Sequence, residues 1–144
     1  MARLLERVPA LDAMGQIGPL PVAVPGQSLA GWLLIGADGG AYRSQLSTQW
    51  KDGTECARAL LRGEMAVAAG PSFELESVLR GNAAVAMGPL PSPRAQREGW
   101  ATGLVVKSDS TDLAQALQAA VNQLAGGGRM AAMFARHNVP WRGA

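Results

Sequence analysis

Short apolar runs punctuated by glycine and proline set the rhythm of this chain. Met65-Ala-Val-Ala-Ala69 is continuously apolar between turn residues, the pattern of a strand covered on both faces, as in a parallel sheet. Leu20-Pro-Val-Ala-Val-Pro25 is β-branched and bounded by prolines, and predicts a strand ending at Pro25. Gly26-Gln-Ser28 follows as a small polar turn, with Ser28 placed to cap a helix over Leu29–Ile35. The stretch Gly36 to Gly40 breaks that helix, and residues 42–50 read as an extended segment ending near Trp50. Asp52 caps the next helix, Glu55–Arg62, which turns Cys56 and Leu60 inward and stops at Gly63.

The alternation continues downstream. Gly70-Pro71-Ser72 opens a helix over Phe73–Leu79, closed by Arg80-Gly81, and Ala83–Met87 predicts a further strand. Proline-rich residues 88–97 form a loop, and Trp100–Lys107 has the strongest strand pattern in the chain. Asp109-Ser-Thr111 caps a helix over Asp112–Leu124, with Leu113, Leu117, Val121 and Leu124 at helical spacing. Glycines 126–128 separate it from a last helix, Arg129–Arg136. At the other end, residues 2–14 predict a short helix with Leu4, Leu5, Val8 and Leu11 on one face and Pro9 interrupting it. Strands alternating with helices define an α/β fold with a mostly parallel sheet flanked by helices.

Composition narrows the function classes. With 48% apolar and 17% charged residues in 144, the chain has the material for a core and is not disordered by composition. Lys and Arg number 13 against 11 acids, and no basic window is interleaved with aromatics, so a nucleic-acid partner is not expected. One cysteine and one histidine leave no internal disulfide, no cysteine cage for zinc and no histidine cluster, so neither metal nor cofactor is expected. The longest apolar stretch, Leu29–Ala37, is too short to span a membrane, and the first residues lack the apolar core of a signal peptide.

Two turns carry the candidate chemistry. Gly26-Gln27-Ser28 and Gly70-Pro71-Ser72 each place a glycine, a hydroxyl and backbone donors at a predicted strand-to-helix junction. Helix N-termini carry partial positive charge, so two of them opening on one crevice would favour a small anion or carboxylate. The plainer alternative makes Ser28 and Ser72 simple N-caps. Trp32 or Tyr42 could wall such a cleft, although tryptophans are more often packing anchors. Cys56 reads as a core thiol and His137 as a surface or docking residue. Glu74 and Glu76, two apart on a helix, do not share a face, and His137 and Glu64 sit poorly for an acid or base in the cleft, so no acid–base pair is expected. Gly126-Gly-Gly128 follows no strand and reads as a helix break rather than a phosphate loop. No enzyme activity is expected.

The tail GLVVKSDSTDLAQALQAAVNQLAGGGRMAAMFARHNVPW, and above all its close MFARHNVPW, resembles the C-terminal end of bacterial extracellular solute-binding proteins of the amino-acid-binding type. ALLRGEMAVAAGPS is similar to that family's helix–glycine–strand step, and PVAVPGQSLAG to the strand and turn that open its second lobe. The resemblance covers about residues 17–144. It implies a type II periplasmic-binding-protein-like lobe divided as a leading helix and connector over 1–19, a second lobe over 20–99, and a C-terminal strand with helices over 100–144 that return to the first lobe.

It further implies a periplasmic protein that binds a small solute for an ABC-type transporter, with a membrane permease as partner and Gly26, Gln27, Ser28, Gly70, Ser72 and Trp32 at the ligand. The family has a first lobe ahead of the segment seen here, and without it a homo-oligomer that hides the exposed surface is expected. Where amino-acid binders place an acid against the ligand's ammonium, this chain reads Ala68-Ala-Gly70-Pro-Ser72, with no acid. A subgroup associated with quinoprotein alcohol dehydrogenases shares the fold, and supplies the alternative of an accessory protein that docks on the enzyme.

Overall fold

A computed structural model describes residues 1–92, 94, 95 and 103–143. The chain divides into two compact units, Met1–Arg97 and Glu98–Ala144. The first holds a five-stranded sheet. Its strands are β1 (Ala2–Leu4), β2 (Val22–Pro25), β3 (Leu46–Trp50), β4 (Val67–Ala68) and β5 (Val85–Met87), in the spatial order β3-β2-β4-β1-β5. β2 pairs in parallel with β3 and β4, whereas β1 runs antiparallel to both β4 and β5. The α/β class is as expected, but the sheet is mixed rather than mostly parallel, because β1 is inserted against the direction of the other four.

That insertion overturns the helix expected over residues 2–14. Ala2 and Arg3 pair with Ala68 and Val67 on one side and with Met87 and Ala86 on the other. Two ladders outweigh a weak helical pattern, since strand preference is largely a matter of neighbours. Only one helical turn of the expected pattern survives, the Val8 amide donating to the Leu4 carbonyl at 2.8 Å. Arg3 fastens that turn, its Nε donating to the Val8 carbonyl at 2.9 Å and its Nη2 to Pro9 at 3.2 Å.

Helices cover both faces of the sheet. α1 (Leu29–Gly36) follows β2, α2 (Gly53–Leu61) follows β3 and α3 (Ser72–Leu79) follows β4. Along β2, Val22 and Val24 enter one core with Met1, Val8, Ile17, Leu34 and Tyr42. Ala23, one residue out of phase, enters the other with Cys56, Ala57, Leu60, Leu75 and Leu79. The period-two alternation of a strand sorts these side chains between the layers. On the second face Ala2, Ala23 and Ala68 are small, so α2 can pack its own Cys56 and Ala57 close to the strands.

Part of the local punctuation behaves as the sequence predicts; the cap expected from Asp109-Ser-Thr111 does not form, since Ser110 holds the N-cap position of its helix without a side-chain hydrogen bond to it. Ser28 Oγ accepts from the Gly31 amide at the start of α1, and Asp52 Oδ1 accepts from the Glu55 amide at the start of α2. Gly63 and Gly81 stand at φ +73° and +86° beyond α2 and α3, the left-handed region open to glycine.

In the second unit, α4 (Thr111–Gly126) and α5 (Arg129–Ala135) are joined through Gly128 at φ +72°. Phe134 and Trp141 meet edge to face at 4.9 Å between ring centres. The strand expected over Trp100–Lys107 falls partly outside the described residues. Gly103–Lys107 form no strand, and Val105 is 96% exposed. β-branched residues hold a strand only where a neighbouring ladder receives them, and none does so here.

Candidate functional site

β2 and β4 are adjacent and parallel, so their carboxyl ends lie side by side and bring the two predicted turns together. A methyl group built on Gly70 would lie 3.8 Å from the Pro25 ring, immediately ahead of Gly26. On the other flank of β2, the Gly26 amide donates to the Trp50 carbonyl at 3.4 Å, and a methyl on Gly26 would fall 2.8 Å from the Thr48 carbonyl oxygen. Gly26 and Gln27 are exposed, as is Ser72. Trp32, one turn into α1, is 72% exposed.

The two serines differ. Ser28 is committed to structure: its hydroxyl donates to the Pro25 carbonyl at 3.0 Å while accepting from Gly31 at 3.1 Å. Ser72 is not an N-cap. Pro71 holds that position, no side chain caps α3, and Ser72 is its first helical residue. α3 therefore presents an N-terminus without a side-chain cap beside an exposed hydroxyl.

α2 also starts at this edge, and its N-terminus is filled from within. Glu74 of α3 reaches across 21 positions in sequence so that its Oε2 accepts the Gly53 amide. Asp52 caps the Glu55 amide, and Glu55 Oε2 accepts from the Lys51 amide at 2.8 Å. Carboxylates at a helix N-terminus satisfy amides that have no partner within the helix, and oppose its partial positive charge. The Asp52 signal is legible in sequence, whereas the Glu74 contact is not, because nothing local links residue 74 to residue 53.

The remaining reactive groups are spent elsewhere. Burial pushes the Cys56 thiol up to about 12, with Asp52 adding to the shift, so it stays protonated and unreactive. Glu64 lies on the surface, where its pairing with Arg62 at 2.6 Å holds its carboxyl below the usual range. His137 is exposed beyond the end of α5. Among the described residues no cluster of acids, histidines and cysteine could hold a metal ion, and no helix is long and apolar enough to cross a membrane.

A cavity of about 270 Å³ opens at the other end of α1. Leu33 and Gly36 line it from α1, Asp38 and Gly39 from the loop beyond, and Ser92 and Arg94 from the segment after β5. Asp38 has φ +47° and ψ +45°, a left-handed conformation that costs a non-glycine residue roughly 1–2 kcal/mol. Tyr42, almost fully buried, donates its hydroxyl to Asp38 Oδ2 at 2.8 Å and holds the carboxylate in place. The same contact pushes the Tyr42 phenol above its ordinary range. No sequence motif marks this loop; the spacing of four between Asp38 and Tyr42 is its only trace.

No family model, curated protein or solved structure matches this chain.

Proposed function

We propose that residues 1–97 form a lobe of the type II periplasmic-binding-protein kind, which takes a small anionic or carboxylate solute at the carboxyl edge of its sheet. The observation that carries this reading is the juxtaposition of Gly26-Gln27-Ser28 and Gly70-Pro71-Ser72 at the ends of adjacent parallel strands. Ligands of open α/β sheets bind at such strand ends, where glycine admits a close approach and helix amides face the ligand. Ser72, exposed on an otherwise uncapped α3, supplies the free hydroxyl. Trp32 flanks the turn from α1. In this role the chain serves a periplasmic transport system with a membrane permease, and performs no chemistry on its solute.

Amide-resolved NMR titration of the full chain with acetate, succinate and sugar acids tests the proposal. Saturable shifts at Gly26–Ala30 and Gly70–Phe73 are expected with one of these classes. Shifts elsewhere, or none at millimolar ligand, would overturn it.

A second reading draws on the exposed apolar side chains near the same edge. Leu29 is 53%, Trp32 72% and Phe73 52% exposed. Such residues suit a protein partner, and a docking role on a quinoprotein dehydrogenase accounts for them without any solute. Native mass spectrometry separates a monomer with bound solute from a chain that self-associates through this surface.

A further inference from the structure

We propose that the cavity beyond the C-terminus of α1 is a second binding site, taking a small dipolar ligand that carries an ammonium group at one end and a carboxylate at the other. Its lining carries both signs of charge. The C-terminal end of α1, which carries partial negative charge, and Asp38 favour a cation. Arg94 and Ser92 bring donors suited to a carboxylate. The Arg94 amide already donates to Ser92 Oγ at 3.4 Å, which ties these two residues together. Met14 and Leu33 supply the apolar lining that would cover the ligand's methylene chain.

The loop that carries Asp38 is held by its neighbours. Asp38 is the non-glycine residue at positive φ there, followed by Gly39 and Gly40, for which positive φ is ordinary. Tyr42 Oη holds the Asp38 side chain, and Arg43 Nε, donating to the Ile35 carbonyl at 3.2 Å, holds the loop to the end of α1. The openness of the cavity is also a matter of residue choice. A methyl group built on Gly36 or Gly39 would meet no atom within 4 Å, so packing does not demand glycine at either position. Gly36 has φ −90° and ψ −9°, which any residue adopts, so conformation does not demand glycine there either. A volume of about 270 Å³ is at the small end for a ligand pocket, which limits the guest to a short chain.

The test is an amide-resolved NMR titration of the full chain with 4-aminobutanoate, with butanoate and butylammonium as single-charge controls. The expected result is saturable shifts at Gly36–Gly40, Ser92 and Arg94, with both controls binding at least about tenfold more weakly, a difference of about 1.4 kcal/mol. Asp38→Asn keeps a residue that accepts the left-handed conformation and removes the charge, and is expected to cost about the same factor. Gly36→Leu is expected to abolish the shifts by filling the cavity. Absent shifts at these amides, equal binding of butanoate, or unchanged affinity in Asp38→Asn would each overturn the proposal. Gly26–Ala30 and Gly70–Phe73 report the carboxyl edge separately in the same spectra, so the fate of either site does not decide the other.

Discussion

The Glu74 carboxylate accepts the backbone amide of Gly53 and closes the N-terminus of α2 from the neighbouring helix. The two helices start at the same edge of the sheet, and the contact is tight. A methyl on Gly53 would lie 2.7 Å from Glu74 Oε2 and 3.1 Å from its Cβ. Glycine at 53 and a carboxylate at 74 therefore form one unit.

Breaking that unit from either side is expected to destabilise the protein. Glu74→Ala removes a charge-assisted hydrogen bond and leaves a buried amide unpaired, at a cost of about 1.5–3 kcal/mol. Gly53→Ala displaces the carboxylate and costs a similar amount. Because the two changes remove the same contact, the double variant costs less than their sum. Urea unfolding of the four proteins measures this, and strict additivity would refute the coupling.

The two turns predict opposite outcomes for the same substitution. Ser28→Ala loses an N-cap and is expected to cost about 1 kcal/mol. Ser72→Ala removes a hydroxyl that caps nothing, so stability stays within about 0.5 kcal/mol while carboxylate binding falls. Thermal unfolding paired with the solute titration reads both.

Glycines 26 and 36 separate a required glycine from a permitted one. Gly26→Ala drives a methyl to 2.8 Å from the Thr48 carbonyl on edge strand β3 and is expected to cost about 1–3 kcal/mol. Gly36→Ala meets open space in an ordinary conformation, and is expected to gain about 0.4–1 kcal/mol by restricting the unfolded chain. The two midpoints in chemical denaturation should move in opposite directions.

Stability should depend on pH through the chain's first residue. Burial lowers the Met1 ammonium from 8.0 to about 6, while the protonated amine donates to the Gly88 carbonyl at 2.8 Å. Between those values the unfolded chain binds more protons than the folded one, so stability rises as pH rises from about 6 to 8 and is lost on acidification. The full span is about 2–3 kcal/mol for a chain with a free Met1 amine. Acetylating that amine should flatten the profile, and a slope that survives acetylation would assign the effect elsewhere.

Cys56 should remain unlabelled by thiol reagents in the folded protein and react only as the protein unfolds, because it is fully buried and its thiol is pushed up to about 12. Labelling rates followed against denaturant concentration would track global unfolding. Rapid labelling in native buffer would contradict the packing of α2 on the sheet.

Much of the local structure was legible before any fold was known. Ser28 and Asp52 cap α1 and α2, Gly63 and Gly81 take positive φ beyond α2 and α3, and the apolar runs at 22–25 and 65–69 contain β2 and β4. These features depend on residues within a turn or two, through hydrogen-bond geometry and backbone sterics that the chain carries with it. The α/β class follows from their alternation.

Only the tertiary structure decided the rest. Arg3 lies in a strand because β4 and β5 stand on either side of it, and Leu104 and Val105 lie in none because no ladder receives them. Asp38 faces a cavity with Arg94, and Glu74 meets Gly53, across separations at which no local pattern operates. Caps and turns are written in short-range chemistry. Strand partners, the direction of β1 and the occupants of each helix end depend on which surfaces the packed core brings together.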